Sequence, residues 1–257
     1  MTVTFAPQTS TAQTSTPLLA TLRAETIKLT TVRATRVIAG LTIGVGGFAA
    51  FAVARFVEDE PLYVANVFGF STVFTAVFAA VAAILVHTSD AEHGTLAQAF
   101  VAQPRRARVL AAKLVVAVGF AALLCVGGLA AGTAGSLLGG LGWENADTIP
   151  GIIGWSLGFS ALAAVLGLGL GFAARQGAAA ISGLLVWWLV VENIVMAFAK
   201  PTVARYLPFV AGNGMLGFDA DDAGADFFGP EKSAVIFGVY ALVVLAVGIV
   251  VARRTEP

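Results

Sequence analysis

Six long apolar stretches divide this chain, and about twenty consecutive apolar residues is the length at which a helix crosses the hydrocarbon of a bilayer. They run from Val37 to Phe56, Val67 to Val86, Leu114 to Leu138, Gly151 to Ala173, Ala178 to Ala199 and Ser233 to Ala252. A soluble domain carries about 25% charged residues; this chain carries 12%, with 58% hydrophobic residues and a mean hydropathy of +0.88. The expected fold class is therefore an all-α integral membrane protein with six transmembrane helices. The formal charge is zero, which gives no reason to expect nucleic acid as a partner. Cys125 is the only cysteine and lies within an apolar stretch, so it reads as a small core residue. His87 and His93 are the only histidines and lack further ligands at metal-binding spacing, so no metal and no bound cofactor is expected.

Residues 1–16 are rich in Thr, Ser and Gln and lack charge, which reads as a disordered cytoplasmic tail. Thr16-Pro17 has the form of a helix start, an N-cap followed by proline at the first helical position. Beyond it Leu18, Leu22, Leu29 and Val32 share one face, so residues 17–36 are expected to form an amphipathic helix along the inner membrane surface. Glu25 falls on the apolar side of that pattern. Either it pairs with Lys28 or Arg33, or the stripe faces protein instead of lipid. The first positive charge is Arg23 and the first apolar stretch begins after Arg36, which is not the order of a cleaved signal peptide.

Lysine and arginine set the orientation. With the N-terminus inside, the inner segments hold Arg23, Lys28, Arg33, Arg36, Arg105, Arg106, Arg108, Lys113, Arg175, Arg253 and Arg254. The outer side holds Lys200, Arg205 and Lys232, with Arg55 near the outer end of the first span. Both termini, including the tail 253–257, are expected in the cytoplasm. The outer connection 200–232 contains Pro201, Pro208, Gly212, Gly214 and Gly217 and then an acidic cluster; it reads either as a solvated loop or as re-entrant helices.

The longest inner connection, residues 87–113, opens acidic at Asp90 and Glu92 and closes basic at Arg105, Arg106, Arg108 and Lys113. No G-x-x-x-x-G-K-[ST] phosphate-binding loop occurs in the chain, so an ATP-driven activity would require a separate ATPase. Three segments carry a family resemblance. Leu22-Arg-Ala-Glu-Thr-Ile-Lys-Leu-Thr-Thr-Val-Arg-Ala-Thr35 precedes the first span. Asp90-Ala-Glu-His-Gly-Thr95 follows the second, and Gln103-Pro-Arg-Arg-Ala-Arg-Val-Leu-Ala-Ala-Lys113 leads into the third. Together with Trp188-Leu-Val-Val-Glu192 and Tyr206-Leu-Pro208, they resemble permease subunits of the type-2 export family of ATP-binding-cassette (ABC) transporters. His93 stands where that family usually has an aromatic residue, and the following arginine is missing.

The resemblance implies a non-catalytic permease in a bacterial plasma membrane. It would pair with a second copy or a homologous permease and with ABC ATP-binding subunits, which supply ATP and Mg. It implies that Asp90, Glu92, His93, Gly94 and Thr95 shape the turn that docks on the ATPase, with Pro104, Arg105, Arg106 and Arg108 alongside. The bland alternative for the arginines is topology and contact with membrane lipid phosphates. The resemblance also places the second and fifth spans beside a central cavity, which makes Phe70, Phe74, Phe78, Thr75 and Met196 candidates for a path taken by a hydrophobic or amphipathic drug, antibiotic, peptide or lipid. Glu192, an ionisable residue well inside a span, belongs either to that path or to a structural hydrogen bond with Asn193, Lys200 or the outer connection.

Small residues at four-residue spacing, Gly128-Gly132-Ser136 and Gly154-Gly158, mark expected close helix contacts. Gly167-Leu-Gly-Leu-Gly171 reads as helix packing, since no strand precedes it. A stand-alone secondary transporter or channel, and a membrane interaction or sensor protein, are the other function classes.

Overall fold

A computed structural model describes residues 18–57, 64–92, 94, 106–142, 148–174, 176–217 and 228–255. Residues 1–17, Glu58-Asp59-Glu60, and Asp219, Asp221, Asp222 and Asp226 lie outside these residues, as do His93, Thr95, Pro104 and Arg105. The described residues are helical, with no strand among them.

Helix α1 spans Leu18–Thr31 and α2 spans Arg33–Phe56, with Val32 extended between them. The break has a local cause. The hydroxyls of Thr30 and Thr31 donate back to carbonyls three and four residues earlier, and the β-branched run Thr30-Thr31-Val32 is a poor helix interior. Helix α3 spans Val64–Glu92, α4 Arg106–Gly139 and α5 Ile149–Ala173. Helix α6 spans Gly177–Phe198 and contains a wide π turn at Trp187–Val191. Two short helices follow, α7 at Pro201–Ala204 and α8 at Pro208–Gly214, and α9 spans Pro230–Thr255.

Six of these, α2 to α6 and α9, contain segments long and apolar enough to cross a membrane, as the apolar stretches predict. The molecule is a multi-pass membrane protein by this criterion. The helix ends depart from expectation around the polar island. Residues 87–113 are not a single connection, because α3 continues through His87 to Glu92 and α4 starts at Arg106, well before Leu114. At 1.5 Å per residue, α4 is about 50 Å long, far more than the roughly 30 Å of hydrocarbon. Charge does not end these helices because the charged side chains are paired against one another inside the protein.

Glycines set the closest approaches. Gly135 and Gly139 of α4 lie against the backbone of Gly47 and Phe51 and the side chain of Ala54 on α2, and Gly128 and Gly132 lie against Thr75 and Ser71 of α3. On α5, Gly167 and Gly171 face Ala80 and Ile84 of α3, while Gly169 between them faces Leu245 of α9. The glycine run thus packs two neighbours at once, where any Cβ would meet backbone. Gly154-Gly158 does not behave as expected: among the described residues no neighbour approaches Gly154, and Gly158 meets only the flexible end of Met215.

Candidate functional site

The off-pattern glutamate of α1 leads to the site. Glu25 and Leu29 are the buried residues of α1, while Leu18, Leu19 and Ile27 are exposed. The middle of the stripe, around Glu25 and Leu29, therefore faces protein, while its ends at Leu18 and Val32 are exposed. Glu25 Oε1 accepts from the Lys28 Nζ one turn on at 3.1 Å, and its Oε2 accepts from Lys113 Nζ on α4 at 3.1 Å. Lys113 also donates to Asp90 Oδ2 on α3 at 2.5 Å and to the carbonyl of Val86 at 2.9 Å. Lys28 closes the set by donating to both oxygens of Asp90, at 3.3 and 3.1 Å.

Among the described residues, two lysines and two carboxylates thus form a quartet of ion pairs joining α1, α3 and α4. Its members are unequally buried. The Lys113 side chain is 0% exposed, those of Glu25 and Asp90 5% and 9%, and that of Lys28 40%. An ammonium as buried as Lys113 is tolerable only with acceptors around it, and three surround it here. Burial pulls the Lys28 pKa down, but the carboxylates of Glu25 and Asp90 outweigh it and hold that lysine above its usual range. His87, buried one turn before Asp90, stacks edge-on against Phe172 of α5 with ring centres 4.7 Å apart.

The acidic residues of the island do not act together. Asp90 belongs to the quartet. Glu92 accepts the backbone N–H of Gly177 at 2.7 Å, at the first residue of α6. A carboxylate there satisfies a helix-end donor and complements the positive end of the helix dipole. Gly177 permits this closeness, since a Cβ would meet the Thr88 hydroxyl. Gly94 turns the chain with φ 68°, a left-handed conformation suited to glycine. Arg106 opens α4, and Arg108 lies two residues on, partly buried. One end of the bundle therefore gathers α1, the end of α3 and the starts of α4 and α6.

The other end is organised by Glu192. Its Oε1 accepts from Phe209 N–H at 2.9 Å and Trp187 Nε1–H at 3.0 Å, and its Oε2 from Val210 N–H at 3.1 Å. Phe209 and Val210 begin α8, where Pro208 has no N–H to offer, so one side chain caps the short helix. The π turn brings Trp187 onto the carboxylate, and the Asn193 amide donates to the carbonyls of Trp188 and Leu189 that the turn disturbs. Neither Asn193 nor Lys200 is a partner of Glu192 in these contacts; the connection between α6 and α9 is, through Phe209 and Val210. Pro208–Leu216 is buried, with Phe209, Phe237 and Phe159 packed in series, so this part of the connection is not a solvated loop.

The expected path residues differ in exposure and in what they touch within the chain. Thr75 is 1% exposed, donates to Ser71 O within its own helix, and fills the notch at Gly128; it serves the contact of α3 with α4. Phe70 is exposed, Phe74 is partly buried, and Phe78 packs into the core formed by α2 to α5 and α9. Met196 is partly buried on α6, away from that core. The Lys28–Asp90 and Lys113–Glu25 pairs could not be located from spacing, because their partners lie 62 and 88 residues apart. The available signal was the misfit of Glu25 in its stripe. No protein-family model matches the chain, and no curated protein matches it in sequence.

Proposed function

We propose that this chain is the permease subunit of a type-2 ABC exporter, moving a hydrophobic or amphipathic substrate outward while a separate ATP-binding subunit supplies the energy. The observation that carries the reading is the quartet of Glu25, Lys28, Asp90 and Lys113. A permease without its own motor needs a surface that receives force and a stiff connection from that surface to the spans. Buried, mutually paired charges resist separation, because parting them leaves an uncompensated charge. Here they bind α1 to the extended ends of α3 and α4, and Glu92 adds the start of α6. The motifs before the first span, after the second and before the third supply the residues of this junction, or flank it. On this reading both termini and the junction are cytoplasmic, α1 lies along the inner surface of a bacterial plasma membrane, and a second copy or a homologous permease completes the transporter.

The test is purification from native membranes in mild detergent. ATP hydrolysis should co-elute with the chain, and reconstituted vesicles should transport only with ATP and Mg. Transport by the purified chain alone, driven by an ion gradient, would refute the proposal.

One observation favours a second reading. Asp90 and Lys113 are buried ionisable groups on two membrane-length helices, which is what a gradient-driven carrier would need. The same vesicles separate the two: an ionophore that collapses the gradient stops a carrier and leaves an ATP-driven exporter running.

A further inference from the structure

A half-open cavity of about 600 Å³ lies between the membrane-length helices α5, α6 and α9, with the start of α8 also lining it. Among the described residues no charged side chain lines it. Small residues make the room: Ala179, Ala180 and Gly183 of α6 border it, and a Cβ on Gly183 would meet nothing within 4 Å. Three aromatic side chains converge on it from three elements, Trp187 of α6, Phe209 of α8 and Tyr240 of α9. Two of them are held by a residue outside the lining. Glu192 Oε1 accepts the Trp187 indole N–H at 3.0 Å and the Phe209 backbone N–H at 2.9 Å. The Phe209 ring also packs against Trp188 and Phe237, with ring centres 6.1 and 5.9 Å away. The indole N–H is thus committed, while the half-exposed Tyr240 makes no hydrogen bond among the described residues, so its hydroxyl is available to donate.

An ion or a charged headgroup placed here would lose its water and find no counter-charge in the lining, so the complementary ligand is uncharged. An acyl chain gains the same contact from any aliphatic furrow on the bundle and nothing extra from converging rings. A ring-bearing molecule does gain, because edge-on and offset ring contacts are worth more than their area alone. Rings fixed before binding also lose little freedom when a ligand arrives. The volume lies within the range of about 300–1,000 Å³ common to small-molecule sites. We infer that this cavity binds an uncharged, ring-bearing apolar molecule that offers one hydrogen-bond acceptor to the Tyr240 hydroxyl. Phe70, Phe74, Phe78, Thr75 and Met196 do not line it, so it is separate from the path expected from the sequence. Binding there does not depend on whether ATP or an ion gradient drives transport.

The test uses benzophenone, an uncharged two-ring ketone that inserts into nearby C–H bonds on irradiation. The full chain in phospholipid vesicles is labelled over a range of concentrations, and the labelled positions are mapped by mass spectrometry. Labelling should saturate and concentrate around Trp187, Phe209 and Tyr240. Naphthalene should compete, whereas benzoate, a charged ring, should not. Tyr240→Phe removes only the hydroxyl and should raise the half-saturating concentration about 2- to 10-fold, the worth of one hydrogen bond. Gly183→Phe places a ring at the cavity and should abolish saturable labelling there, while Gly40→Phe, at an equally open glycine of α2, should leave it intact. Labelling that spreads over every exposed apolar face without saturating would mean an ordinary lipid-filled crevice. Competition by hexadecane as strong as by naphthalene would mean an acyl-chain furrow, and a lining that stays unlabelled would mean that another chain covers it. Each of these, an unchanged half-saturation in Tyr240→Phe, or equal effects of the two glycine replacements would overturn the inference.

Discussion

Replacing Lys113 with methionine keeps the length of the side chain and removes its charge. The lysine is 0% exposed and donates to Glu25, Asp90 and the Val86 carbonyl. Its loss leaves two buried carboxylates facing one half-exposed lysine. Removing one partner from a buried ion pair costs about 3–5 kcal/mol. For a chain of this size each kcal/mol moves the midpoint by about 2–4 °C, so Lys113→Met should melt about 6–20 °C below the wild type. Lys28→Met removes the same charge from a side chain that is 40% exposed, so solvent screens the loss. Its cost should be about 1 kcal/mol at most, a shift no larger than about 2–4 °C. Adding Asp90→Asn to Lys113→Met restores a neutral set and should recover most of the loss, because the penalty belongs to the unpaired charge and not to the absent contact. The molecule carries its own reporter: Cys125 is the sole cysteine and is fully buried, so a thiol-reactive fluorophore reports unfolding. A Lys113→Met protein melting within about 2 °C of the wild type, a shift below the expected cost of one kcal/mol, would refute the reasoning. So would a double variant no more stable than Lys113→Met alone.

The remaining expectations concern other joints of the bundle. Glu192→Gln loses the charge on three hydrogen bonds, each worth about 1.5–3 kcal/mol with a charged partner, so hydrogen exchange at Phe209 and Val210 should accelerate; unchanged exchange there with lost transport would place Glu192 in the path instead. Gly167→Leu drives a side chain into the Ala80 backbone and should abolish folded yield, while Gly154→Leu, with open space around it, should express normally. Glu92→Ala removes the acceptor at the start of α6 and should cost about 1 kcal/mol, typical of a lost helix-end partner, read as faster exchange at Gly177.

How far the sequence revealed this molecule depends on the distance over which each feature is decided. The apolar stretches are local, and the six long helices follow from them. The small-residue run Gly167 to Gly171 was legible as packing, although not that it serves α3 and α9 on alternate residues. Helix ends near charge were not legible. A charge in sequence suggests exit to water, yet Asp90 and Lys113 stay inside because each neutralises the other across two helices. Glu192 stood out as an ionisable residue in an apolar run, but its partners are backbone N–H groups of α8, which no pattern of side chains announces. Phe70, Phe74 and Phe78 recur every fourth residue, and that period does not say which neighbour a face meets. Phe78 turns out to pack in the core and Thr75 against Gly128.

On the proposed reading, the basic end of this bundle receives a separate ATP-binding subunit. Single cysteines at Thr95 and at Ala107, the latter exposed near the start of α4, with Cys125→Ser, carry the crosslinkers. After crosslinking in native membranes, mass spectrometry should find an ATP-binding subunit attached at both positions. Capture of lipid or of this chain alone, with that subunit expressed in the same cells, would contradict the account.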